Sequence, residues 1–224
     1  MTKPHDAFYE DFGLSGFTKY VHSPFVAQDE AACLDLADRL TERYGKVYAQ
    51  DVLADLQRLQ AAPLPDEVLS TLWLAATRAH FDPVGAGLGI RTWLSRIADV
   101  CVSRIRQDDP SFLPAAPTLG TGTDAGLQGS VLAEIRGVAP ALTEAATTSI
   151  YTAPLPDVVL ALERAVTEVD ADLGFRLFLR AMKAYFVPIS EARYQRFLDL
   201  GERFGYHELV VDDPNLNIWS DLVD

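Results

Sequence analysis

The side chains in this sequence best suited to chemistry are four histidines, two cysteines and a few adjacent carboxylates. His80-Phe81-Asp82 sets an imidazole and a carboxylate two residues apart, a pair that could bind a metal or move a proton. A metal requires three or four ligands and a general base requires an orienting group, and the neighbouring sequence supplies neither. A histidine at a helix C-terminus is accounted for by the helix dipole alone. His207-Glu208 raises the same question and receives the same answer, while His5 and His22 fall in irregular N-terminal segments. Neither Glu-x-x-His nor His-Glu-x-x-His occurs, so no metal and no cofactor are expected.

The remaining chemical motifs are incomplete. Gly120-Thr121-Gly122-Thr123-Asp124-Ala125-Gly126 resembles a phosphate-cradling loop in composition, but no Gly-Lys-Ser/Thr follows and its glycines miss the dinucleotide spacing. The turn through Gly85, Gly87 and Gly89 is better placed, because a helix follows whose N-terminus could face an anion. Gly13-Leu14-Ser15-Gly16 is one residue short of a nucleophile elbow. Asp108-Asp109 and Asp212-Asp213 each precede a proline, the context of an acidic turn. A magnesium site on facing helices would need acids inside the apolar stripes, and the stripes read as free of them. Cys33 and Cys101 lie singly on apolar helical faces, which suits small core residues and neither a disulfide framework nor a zinc site.

The elements that must position these residues are helices. Ala62-Pro63-Leu64-Pro65-Asp66-Glu67-Val68-Leu69 recurs as Ala153-Pro154-Leu155-Pro156-Asp157-Val158-Val159-Leu160, and Leu88-Gly89-Ile90-Arg91 recurs downstream as Leu173-Gly174-Phe175-Arg176. Proline fixes φ at the helical value and lacks an N–H that a first turn would leave unpaired. The following Asp66 and Asp157 suit the positive end of a helix dipole. Apolar residues then recur at helical spacing behind each copy, so the pattern predicts a duplicated helical hairpin. Further helices are expected over 29–44, ending at Gly45, then 48–59, about 65–80, 88–106, 173–186 and 190–204, the last between Ser190 and Gly205. A helix from Ser130 should break near Gly137 and Pro140, and His207 to Val211 has strand character. Residues 1–26, aromatic but rich in breaks, read as a lid over the core.

The predicted fold is all-α, with about eight to ten helices in two related halves, a short strand near the C-terminus, and either a bundle or a short α-solenoid-like stack. The N-terminal half spans 1–107, a Pro/Gly-rich linker or long loop spans 108–129, and the second half spans 130–224. The halves are compatible with one compact domain.

Charge bounds the partners. The chain carries 32 acidic against 19 basic residues, a net −13. Such a chain repels phosphate backbones and anionic membranes and attracts basic proteins. Seven carboxylates face a single arginine between Asp199 and Asp224. No stretch approaches the ~18–20 apolar residues of a membrane span, and no apolar run of signal length opens the sequence. A cytoplasmic protein with neither nucleic-acid nor membrane partners is expected, and not an enzyme. The leading functional expectation is a protein-binding module of the immunity or antitoxin-inhibitor kind. Glu208, Asp212, Asp213, Asp221 and Asp224 would steer a basic partner, and Trp219 would anchor it. The alternative is a small-molecule-binding helical enzyme with a pocket between the halves, lined by His80, Asp82 and Arg91. A third reading is a homodimer built through the aromatic N-terminal segment.

Overall fold

The computed structural model describes residues 11–22, 27–117, 119, 125–149, 153–212 and 216–223. Nine α-helices and a two-stranded parallel sheet are found among them. The sheet is minimal, and the all-α expectation holds.

α1 (Gly13–Val21) lies where a lid was expected, and it is a core element with Leu14, Phe17 and Val21 buried. Its start depends on a glycine. Gly13 has φ +59, and a Cβ there would collide with the Asp55 carboxylate. That carboxylate reaches across from the next helix to accept the Leu14 N–H at 2.9 Å, capping α1 from outside its own sequence. The irregular reading failed because this cap is 41 residues away.

α2 (Glu30–Ala61) begins at Asp29, whose side chain accepts the Ala32 N–H at 2.8 Å. The expected stop at Gly45 is a kink: φ 79 and ψ −169 there break one long helical path into two. α3 (Asp66–Thr77) follows the first proline repeat, and α4 (Ile90–Asp108) packs along α2. Between them, Trp73, Phe81 and Trp93 form an edge-on aromatic cluster, and the Trp73 indole donates to the Phe81 carbonyl at 2.9 Å.

α5 (Ala125–Thr148) runs unbroken through Gly137 and Pro140, correcting the expected break. Pro140 removes the N–H that would bond the Arg136 carbonyl, but Arg136, Gly137 and Pro140 are all on the solvent side, where water can replace it. The buried stripe Leu127, Val131, Ile135, Val138, Leu142 and Ala146 continues across the site, and its packing outweighs the proline.

α6 (Val158–Arg164) follows the second proline repeat and passes into a π-helical turn (Ala165–Val169). α7 (Ala171–Ala184) is the hub: every residue but Asp172 is buried, and it packs on α1, α3, α5 and α6. β1 (Pro188–Ser190) leads into α8 (Glu191–Phe204), which Ser190 caps and Gly205 ends in the left-handed conformation, as the sequence indicated. Residues 207–211 do not form a strand. α9 (Glu208–Val211) is a single helical turn capped by the His207 side chain, and the C-terminal strand is instead β2 (Asn217–Trp219). β2 runs parallel to β1 in the register Pro188–Asn217, Ile189–Ile218, Ser190–Trp219.

The two copies of the proline repeat both lead into helices, and those helices, α3 and α6, pack on each other and on α7. The downstream signatures differ in setting. Gly89 caps α4 from outside, whereas Gly174 lies inside α7 against the backbone of Val166.

Candidate functional sites

The expected partner-binding residues lie on one segment that doubles back along α8. Gly201 on α8 admits the Val211 side chain of α9, and a Cβ at that position would meet it at 2.7 Å. The Tyr194 hydroxyl, one turn from the start of α8, bonds the Asp212 carboxylate, and burial together with that bond holds its pKa above the ordinary range. β2 then sits beside Ser190. The chain thus covers the length of α8, about 20 Å, in the reverse direction.

On this segment Glu208 and Asp221 are exposed and Asp212 is half-buried. Trp219 is 56% exposed and Val223 89%, with Leu209, Ile218 and Leu222 exposed as well. Trp219 is not folded onto the core; its indole N–H donates to Asn217 Oδ1 at 2.7 Å. Beside α9 a cleft of about 230 Å³ is lined by Leu198, Asp199, Glu202, His207, Glu208 and Val211. Asp213 and Asp224 lie outside the described residues, as do His5, Gly120 to Asp124, and the aromatic residues Phe8, Tyr9 and Phe25.

The second candidate set is dispersed over separate tasks. Arg91 clamps the first repeat to α4. Its Nε donates to Asp66 at 2.8 Å and its Nη1 to the Gln60 carbonyl at 2.8 Å, and Nη2 donates to the Leu64 carbonyl. Asp82 is exposed and accepts the Gly85 N–H at 3.0 Å in its own turn. His80 stacks on His22 with ring centroids 5.6 Å apart. Burial, with Arg180, His80 and Arg78 nearby, lowers the His22 pKa to about 4; burial and Arg78 lower that of His80. The stacked imidazoles are therefore neutral at pH 7. No group of three or more metal-binding side chains occurs among the described residues. Burial pushes both cysteine thiols up to about 12, so neither is a nucleophile.

A third constellation escaped the sequence reading. Arg176 on α7, 1% exposed, donates to both Asp55 oxygens at 2.8 and 3.0 Å and to Asp172 at 2.8 Å. It also reaches the Phe12 carbonyl and the Ser15 hydroxyl, each at 3.2 Å. Tyr206 donates to Asp172 Oδ1 at 2.5 Å. Of these, Phe12, Asp55, Asp172 and Arg176 wall a cavity of about 290 Å³ between α2 and α7, with Asp51, Arg58, Asp170 and Phe204 on its other sides. Burial and the charge of Asp55 raise the Asp51 carboxyl to about 6, and burial followed by Asp172 raises Asp170. Asp55 is therefore an acid within the buried stripe of α2, contrary to the expectation that the stripes hold none. The available signal was Asp51, Asp55 and Arg58 at helical spacing beside Val52, Leu56 and Leu59, matched by Asp172 and Arg176 four residues apart.

No family model, curated protein or solved structure matches this chain. No helix among the described residues is long and apolar enough to cross a membrane. Function must then be argued from these three sites.

Proposed function

We propose that the chain is an acidic protein-binding module whose C-terminal segment engages a basic protein partner. The observation that carries this is the exposed apolar group Ile218, Trp219, Leu222 and Val223 on the same folded-back segment as Glu208, Asp212 and Asp221. An aromatic anchor amid carboxylates supplies both ingredients of such an interface: apolar area to desolvate, and charge to steer and orient. In its finer form the module is an inhibitor of the immunity or antitoxin kind, covering a basic site that its target built for phosphates. The test is affinity capture from the native cells with two baits, the wild-type chain and an E208K/D212K/D221K chain. A stoichiometric basic protein held by the first, weakened by salt and absent from the second, is expected. Equal recovery on both baits, or a wild-type bait that returns alone, overturns the reading.

A second reading, small-molecule chemistry in a pocket between α2 and α7, is favoured by one observation. Asp51 makes no hydrogen bond or ion pair among the described residues, yet it lines the 290 Å³ cavity with a carboxyl titrating near neutrality. This pocket is distinct from the expected one at His80, Asp82 and Arg91. Its net acidic lining suits a small organic cation. Thermal melts with putrescine or agmatine at matched ionic strength test it. An upward shift in wild type that Asp51→Asn abolishes supports the reading, and equal shifts refute it.

A further inference from the structure

β2 leaves one of its edges open. It is hydrogen-bonded to β1, and among the described residues no strand lies on its other side. Successive residues of a strand turn their backbone groups to alternate edges. Either Ile218, or both Asn217 and Trp219, therefore turn N–H and C=O away from β1, although the Trp219 C=O already accepts the Leu222 N–H at 3.3 Å. A parallel ladder of three residue pairs is unusual at a surface, since parallel sheets are normally covered and two-stranded ones marginal.

Natural edge strands are kept very short or carry lysine, proline or a bulge against unwanted pairing; β2 is short, at three residues, but Asn217-Ile218-Trp219 carries none of the other devices. The strand is also held in place before any partner arrives. Asn217 Nδ2 donates to the Phe186 carbonyl at 2.7 Å, and Asn217 Oδ1 accepts from the Trp219 indole at 2.7 Å. Ile218 and Trp219 project to opposite faces, both exposed. Asp221, exposed in the turn that follows the strand, gives the C-terminal end of the edge a negative charge, and Glu208 and Asp212 add to the negative charge of the same folded-back segment.

We infer that the open edge of β2 accepts an extended, basic segment of the partner protein as a third strand. Main-chain hydrogen bonds supply the pairing. Apolar side chains of that segment lie on Ile218 and Trp219, and its lysines or arginines are drawn by Asp221 beside the strand and by the acidic segment that carries it. The inference rests on the protein-binding reading above and specifies the form of the partner.

The test uses the full chain, 15N-labelled, with four synthetic probes. One is an alternating Lys-Val octapeptide; two are the same peptide N-methylated at alternate residues, one for each edge; the last is a helical Lys-Leu peptide of equal charge. The unmodified octapeptide is expected to shift and protect the amides of residues 217–219. One of the two N-methylated forms should bind about tenfold or more weakly, because it loses donors and clashes on the pairing edge, and the other should bind nearly as well. Equal binding by both N-methylated forms overturns strand addition, as does an equally tight helical peptide. Self-association of the free chain through β2 also overturns it, by giving the edge to a second copy. The E208K/D212K/D221K chain separates the two levels. If it loses octapeptide and helical peptide alike, acidic recognition stands while the strand mode falls.

Discussion

Arg176 keeps its charge at 1% exposure because four acceptor groups surround it. Burial disfavours the guanidinium, but the carboxylates of Asp172 and Asp55 outweigh that and hold its pKa well above the ordinary value. Removing one partner leaves a buried charge uncompensated. Asp55→Ala should cost about 3–5 kcal/mol in denaturant unfolding, and it also removes the acceptor of the Leu14 N–H at the start of α1. A loss below about 1 kcal/mol would mean that the pair is solvated after all. Arg91 and Arg176 occupy the same position of the repeated signature, and the sequence gives no means to tell them apart. One is a half-exposed clamp on backbone carbonyls and the other a buried ionic hub, and the difference lies in partners 121 residues away, beyond the reach of local spacing.

Among the elements, the π-helical turn and α7 are joined by a contact only glycine permits. A Cβ on Gly174 would lie 2.9 Å from both the N and Cα of Val166. Gly174→Ala should therefore destabilise by about 1–3 kcal/mol through overpacking. Adding Val166→Ala removes the nearest contact, Val166 Cγ2 at 2.5 Å, but leaves both backbone contacts, so it should restore the loss only in part; full recovery in thermal melts of the double variant would show that the side chain alone was limiting. Helices with long apolar stripes were legible from periodicity, including the cap at Ser190 and the stop at Gly205, while the glycine at 45 marked a break that proved to be a kink within one long helix. Elements decided by a few residues were not. The Val210-Val211 pair gave 207–211 a strand signature, yet both side chains are buried from a helical turn that His207 caps. The segment that does form a strand, Asn217 to Trp219, is three residues long and is selected by pairing with β1 rather than by its own pattern. Of the candidate site, the acidic tail and Trp219 were legible from composition, and their arrangement along α8 was not.

At the scale of the whole molecule, two half-buried groups set opposing pH dependences over one window. Asp51 has a folded pKa of about 6 against an ordinary value of 3.8, so the folded chain takes up its proton first as pH falls, and stability gains. His22 has a folded pKa of about 4 against 6.5, so the unfolded chain takes up its proton first, and stability drops over nearly the same range. His80, also lowered, adds to the second effect, and Asp170, raised by burial and Asp172, adds to the first. The two contributions offset each other between pH 6.5 and 4, and the wild-type unfolding midpoint should vary little there from these groups. Asp51→Asn removes one side of the balance. At pH 7.5 the variant should be more stable than wild type, because an ionised carboxylate has left a half-buried site beside Asp55. Its midpoint should then fall toward pH 4 more steeply than wild type, and the two should converge near that pH. Urea titrations at pH 7.5, 6, 5 and 4 measure both curves. A variant that tracks wild type at a constant offset would mean that Asp51 titrates normally, and the cavity between α2 and α7 would then be wet enough to leave its carboxylates as they are in water.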